Sequence, residues 1–162
     1  MVALKTLLFS ILVPGTVAIL IPRWLLAASA ATEAGGASAL KLLGLLPILV
    51  GAGFYIWCAW DFVVTGRGTP APIEPPKALV ARGLYRLVRN PMYVGVLLLI
   101  LGQALLFTSG ALLAYALLLF LIFHIFVIAY EEPTLRRLFG SSYDQYCRAV
   151  PRWVPRLRPR VV

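Results

Sequence analysis

Residues 94–129 contain no Asp, Glu, Lys or Arg. Arg89-Asn90-Pro91-Met92-Tyr93 stands immediately before this stretch, and Tyr130-Glu131-Glu132-Pro133 closes it. Thr108-Ser109-Gly110 interrupts it near the middle, with the composition of a turn. A charge-free run of this length is predicted to be two apolar helices folded back on each other. The tight turn then carries both polar motifs to the same end of the hairpin, so a basic segment and an acidic segment meet at the edge of an apolar layer.

The rest of the chain agrees with a membrane setting. Hydrophobic residues make up 61% of 162, above the roughly one-half of a soluble domain, and the mean hydropathy is +0.90. Crossing the hydrocarbon takes about 20 apolar residues in a helix. Residues 4–26, 40–64, 92–107 and 111–130 are the candidate spans, the third being short. The predicted fold class is therefore an all-α integral membrane protein with four transmembrane helices and a cytoplasmic C-terminal helical cap over the hairpin.

Charge placement orients it. The net charge is +9. Arg67, Lys77, Arg82, Arg86 and Arg89 lie between the second and third spans, and Arg136, Arg137, Arg148, Arg152, Arg156, Arg158 and Arg160 follow the last. The opposite side has only Arg23 and Lys41. Cytoplasmic loops collect Lys and Arg, which puts both termini, the 65–90 loop and the tail in the cytoplasm. In so small a membrane chain the basic residues serve orientation and anionic headgroups rather than nucleic acid. Membrane lipids are the expected partners, and no obligate protein partner is inferred.

The chain reads as one domain. Residues 1–64 hold two spans, 65–91 a Pro-rich loop and an interfacial helix, 92–130 the hairpin, and 131–162 the tail. Pro22-Arg23-Trp24 reads as an interfacial anchor and fits a signal peptide poorly. Gly51-Ala52-Gly53 suits close helix packing. Four prolines within residues 66–76 predict an extended segment, either a stiff connector or a lid. Cys58 and Cys147 form no disulfide framework, and with His124 the single histidine no metal site is expected. His124 reads as a packed, hydrogen-bonded residue, and Gln103 and Asp61 as interhelical or boundary residues.

The local signals around the two motifs are specific. Residues 83–89 read as one or two helical turns lying in the interface. Asn90 is predicted to cap the next helix with Pro91 at its first position, leaving free N–H groups that can bind an anion. Pro133 biases Glu132 away from helix and ends the fourth span. Ser141 and Asp144 fit a further helix start. The Glu131–Glu132 pair is either an interfacial charge cluster neutralised by arginines or a functional pair at membrane depth. Tyr143 and Tyr146 are either interface aromatics or ligand contacts.

Residues 83–95, Gly-Leu-Tyr-Arg-Leu-Val-Arg-Asn-Pro-Met-Tyr-Val-Gly, resemble the signature of the isoprenylcysteine carboxyl methyltransferase family. Glu131-Glu132-Pro133-Thr134-Leu135, Phe139-Gly140, Tyr143, Tyr146 and Val150-Pro151 continue that resemblance in order. Asn-Pro-Met-Tyr and Tyr-Glu-Glu-Pro are also similar to phosphatidylethanolamine N-methyltransferase. The match covers about residues 79–155, and Asn90 stands where the family usually has His. The resemblance implies S-adenosylmethionine as methyl donor and a lipophilic small molecule, lipid or prenylated group as acceptor. It implies donor contacts from Arg89, Asn90, Pro91, Tyr93, Gly95, Glu131, Glu132, Tyr143 and Tyr146. Glu131, Glu132 and Arg136 are the implied catalytic residues, with Arg136 or Arg148 available to an anionic acceptor. The expected pocket lies on residues 90–95 and 130–132, beneath a helix over 143–150. A non-catalytic membrane scaffold or assembly protein and a related membrane reductase are the alternatives.

Overall fold

The computed structural model describes residues 12–29, 39–65 and 82–156. The described residues are all-α, without a strand. Helix α1 spans Leu12–Ala28. A single turn, Ala39–Leu42, precedes α2, Leu45–Thr65. A 3-10 turn at Gly83–Arg86 leads to α3, Pro91–Leu106. Then come α4, Gly110–Phe126, α5, Glu132–Phe139, and α6, Ser141–Ala149. The Pro-rich loop, with its two readings, lies outside the described residues.

Among the described residues, only the continuous helix over Gly110–Phe139 is long and apolar enough to cross a membrane by length and composition. Leu12–Ala28, Leu45–Asp61 and Pro91–Leu106 are shorter. At 1.5 Å per residue the 16 residues of α3 reach about 24 Å, short of a 30 Å hydrocarbon layer.

Helix α3 is central, with α2, α1 and α4 around it. Val96 and Ile100 of α3 are buried with Ala18 of α1 and with Ala116 and Leu119 of α4. The α2–α3 contact depends on glycine. A Cβ on Gly44 would stand 2.5 Å from the Gly102 carbonyl oxygen, and one on Gly51 would stand 2.6 Å from that of Gly95. The pairs run in opposite order along the two helices, so the packing is antiparallel and brings backbone against backbone. Gly53, by contrast, faces open space.

Two segments are π-helical, Thr16–Leu20 and Val127–Glu131, and each stands one residue before a prolyl dipeptide helix start, at Ile21-Pro22 and at Glu132-Pro133. The cause is common to both. Proline has no N–H and its ring clashes with the carbonyl four residues back. Widening the preceding turn moves that carbonyl aside, and Ile21 and Glu132 bond instead to the oxygens of Thr16 and Val127. The predicted break at Pro133 is thus a bulge. Glu132 keeps right-handed helical angles (φ −61°, ψ −44°) and the helix continues to Phe139. In α1 the carbonyls left over by Pro22 are taken by side chains. Gln103 Nε2 donates to the Ala18 oxygen at 2.9 Å and Tyr115 Oη to the Val17 oxygen at 3.0 Å.

Two predicted caps differ in the structure. Asn90 stands at the N-cap position of α3 and Pro91 at its start, but the Asn90 side chain makes no cap hydrogen bond. Its amide donates to the Arg152 carbonyl at 3.1 Å instead. Ser141 does not cap α6, because Gly140 occupies that position at φ +52°, ψ −129°, a conformation that side chains disfavour. Gly140 turns the chain from α5 into α6 in one residue.

Candidate functional site

The site forms where α3 begins and the π segment ends, and the tail is fastened across it. Arg89 N–H donates to the Pro151 oxygen and Arg156 N–H to the Leu87 oxygen, both at 2.9 Å. The Tyr146 hydroxyl donates to the Tyr85 oxygen at 2.7 Å. Tyr143, Tyr146 and Val150 are buried together, packed by Leu135 and Phe139. Burial pushes the Tyr146 phenol up, which keeps it protonated and able to donate. Both tyrosines thus sit in the core of the tail.

The glutamates divide their roles. Glu132 is buried and takes two cations. Arg89 Nη1 lies 2.9 Å from its Oε1, while Arg152 grips both oxygens, Nε at 2.6 Å and Nη2 at 2.9 Å. Such a two-pronged arrangement is the strong form of the guanidinium–carboxylate pair. The hydrogen bond to Glu132 raises the Arg152 guanidinium above its ordinary value, so it stays charged. Glu131 has no cation in ion-pair reach among the described residues. It accepts from the Tyr93 hydroxyl at 3.2 Å. One carboxylate is balanced twice over, while its neighbour meets a phenol and, among the described residues, no cation.

The remaining expected residues separate. Arg89 also donates to Cys147 Sγ at 2.9 Å, and its Nε is buried without a hydrogen-bond partner. Asn90, Pro91 and Tyr93 border this cluster. Gly95 is turned to α2, where a Cβ would stand 2.8 Å from the Gly51 oxygen. Arg136 makes an exposed ion pair with Asp144, at 2.9 Å, and no direct ion pair with either glutamate. The structure thus brings together Arg89, Asn90, Tyr93, Glu131 and Glu132, with the buried Tyr143 and Tyr146 beside Arg89 and Cys147, while Gly95 packs on α2 and Arg136 pairs with Asp144. Arg148 is exposed.

Two residues of this region carry no motif. Arg152 is the bidentate partner of Glu132. Trp153 enters the hairpin, its Nε1 donating to His124 Nδ1 at 3.0 Å. Its ring meets Phe120 edge-on at 5.3 Å, and Tyr93 lies tilted against Phe123 at 4.6 Å. The signal for them in the sequence was slight. An Arg-Trp pair between Pro151 and Pro155 marks an extended segment with one charged and one aromatic prong, but it does not name what they reach.

Apolar helices that end together at one ion-paired polar site, with a C-terminal segment laced over it, make an all-α protein with a polar site at the end of an apolar helix layer. The comparisons make this specific. Residues 40–142 match the family model for phospholipid methyltransferase. A probable protein-S-isoprenylcysteine O-methyltransferase of Oryza sativa subsp. indica is 36% identical over 83 residues, 51% of this chain and 43% of the relative. The protein-S-isoprenylcysteine O-methyltransferase of Schizosaccharomyces pombe is 40% identical over 78 residues, 48% of this chain and 33% of the relative. A cobalt-zinc-cadmium resistance protein of Cupriavidus metallidurans is 33% identical over 118 residues, 73% of this chain and 50% of the relative. The matched part of this chain spans half or less of the length of these relatives. No solved structure matches the chain. The chain belongs to the phospholipid methyltransferase family, the wider membrane methyltransferase group that the two motifs resemble.

Proposed function

We propose that this protein transfers a methyl group from S-adenosylmethionine to a lipophilic acceptor at the cytoplasmic face of a membrane. The observation that carries the reading is the unequal pair of glutamates. A carboxylate left without a cation at the end of an apolar helix is costly unless a ligand supplies the countercharge. Glu131 suits the donor's ammonium. The unpartnered Arg89 Nε–H suits its carboxylate, because a buried donor without a partner costs about 1–3 kcal/mol until one is supplied. When bound, S-adenosylmethionine supplies an electrophilic methyl group. The protein's own residues bind, align and exclude water, which is most of what an in-line transfer requires. Tyr93 orients Glu131, Glu132 holds Arg89 and Arg152 in place, and the tail covers the site.

The membrane part of this reading has four spans, with both termini, the 65–90 loop and the tail cytoplasmic. It rests on the one-sided distribution of Lys and Arg and on the four apolar helices. The acceptor approaches from the lipid side, and the family relatives support a lipophilic one.

Calorimetry of the full chain in detergent tests the class. S-adenosylhomocysteine is expected to bind and NADPH is not. Binding of NADPH alone would favour a reductase, and binding of neither would favour a scaffold.

A further inference from the structure

Trp153 stands outside residues 40–142, the part that the family model matches. The backbone on both sides of it is pinned, by the Pro151 oxygen to Arg89 and by Arg156 N–H to Leu87. The indole is therefore held in place rather than hanging from a loose tail. It reaches His124, seven residues before Glu131, which is about 10 Å down the helix axis. An indole N–H in such apolar surroundings needs an acceptor, and His124 Nδ1 provides it at 3.0 Å. Tyr93 links this wall to the polar site. Its hydroxyl is on Glu131, while its ring lies 6.5 Å from Trp153 and 4.6 Å from Phe123. An acceptor whose reactive atom reaches the donor beside Tyr93 can lay its apolar part along α3 and α4, and on that path it meets the indole.

We propose that Trp153 is a specificity-determining residue, the wall that limits the length of the acceptor's apolar group, and that His124 is the positioning residue that holds it. The inference rests on the methyl-transfer reading above. It gives the one histidine of the hairpin a role: its ring nitrogen fixes the aromatic stop.

The test uses the full chain in detergent and two separate titrations. The first is with S-adenosylhomocysteine. The second is with N-acetyl-S-isoprenylcysteines of one to four isoprene units. In the parent, affinity should drop roughly ten-fold or more at one step of the ladder, as a filled apolar pocket does against extra methylenes. Trp153→Ala should move that step to a longer member and leave the S-adenosylhomocysteine affinity as in the parent. Trp153→Phe, which keeps an aromatic ring, should fall between them. His124→Phe should copy Trp153→Ala, whereas His124→Asn, which retains an acceptor, should copy the parent. An unmoved step in Trp153→Ala overturns the proposal. So does a parent with no length dependence, including one that binds no member, and so does equal loss of S-adenosylhomocysteine affinity in Trp153→Ala. A parent that discriminates chain length but fails to bind S-adenosylhomocysteine overturns the methyl-donor reading instead.

Discussion

Adjacent residues of one type can have opposite duties, and Glu131 and Glu132 illustrate it. Glu132 satisfies two guanidinium groups in a site with little access to water, so removing its charge leaves both cations uncompensated. Breaking such a buried pair costs about 3–5 kcal/mol. Glu132→Gln is expected to lower the unfolding temperature and to loosen the tail, seen as faster proteolysis after Arg148 and Arg156. Glu131→Gln removes no ion pair. Its stability should stay within about 1 kcal/mol of the parent, while S-adenosylhomocysteine binding weakens by about 1.5–3 kcal/mol, the worth of a charged hydrogen bond. Equal effects of the two substitutions on both measurements would contradict the division of roles. The sequence identified the pair, but it could not rank its members, because the ranking comes from Arg152, twenty positions away.

The helices owe their irregularities to single residues whose costs are met by neighbours. Pro22 leaves the Val17 and Ala18 carbonyls without their helical donors, and Tyr115 and Gln103 supply replacements. In an apolar layer those carbonyls have no water to turn to. Gln103→Leu is expected to cost about 1–3 kcal/mol, measured as a lower unfolding temperature in detergent at unchanged helical content. The α3–α4 corner carries a different strain. Thr108 sits at φ +51°, with Thr108 N–H bonded to the Leu105 oxygen and Ser109 N–H to the Ala104 oxygen. That is the helix ending in which glycine is usual, and a β-branched residue is strained there. Thr108→Gly should therefore stabilise the chain by about 0.5–1 kcal/mol. The prolines and the turn were visible from sequence. The bulge at Val127–Glu131 was not, since Pro133 alone is equally compatible with a helix end.

For the whole molecule, the tail and the helices form one site. Tyr146, Arg152 and Trp153 contact Tyr85, Glu132 and His124 across the chain. Truncation after Phe139 removes all three contacts and leaves every apolar helix intact. It is expected to abolish S-adenosylhomocysteine binding while the protein still fractionates with membranes. Retained binding would place the donor site elsewhere. The topology is tested independently. Reporters fused after Val162 should be active only on the cytoplasmic side, and activity on the outer side would reverse the proposed orientation. The glycine pairs set how closely α2 approaches α3, so Gly51→Leu should separate those helices and lower stability without touching a polar group.

What the sequence determined by itself was whatever depends on composition within one stretch of chain. That includes the apolar helices, the clustering of Lys and Arg between residues 67 and 89 and after Glu132, the turn at Thr108-Ser109-Gly110, and the meeting of Arg89–Tyr93 with Tyr130–Pro133. Such features follow from the burial of local runs and from the short reach of a tight turn, and both are written in neighbouring residues. Tertiary structure alone decided which carboxylate takes the two guanidinium groups, why Asn90 reaches the tail, why Gly95 serves α2, and why Arg136 pairs with Asp144. It also decided that Trp153 would find His124. These depend on which side chains come within about 3 Å of one another across separations of up to sixty-two residues. Periodicity says which face a residue occupies, and only the folded chain says what stands opposite.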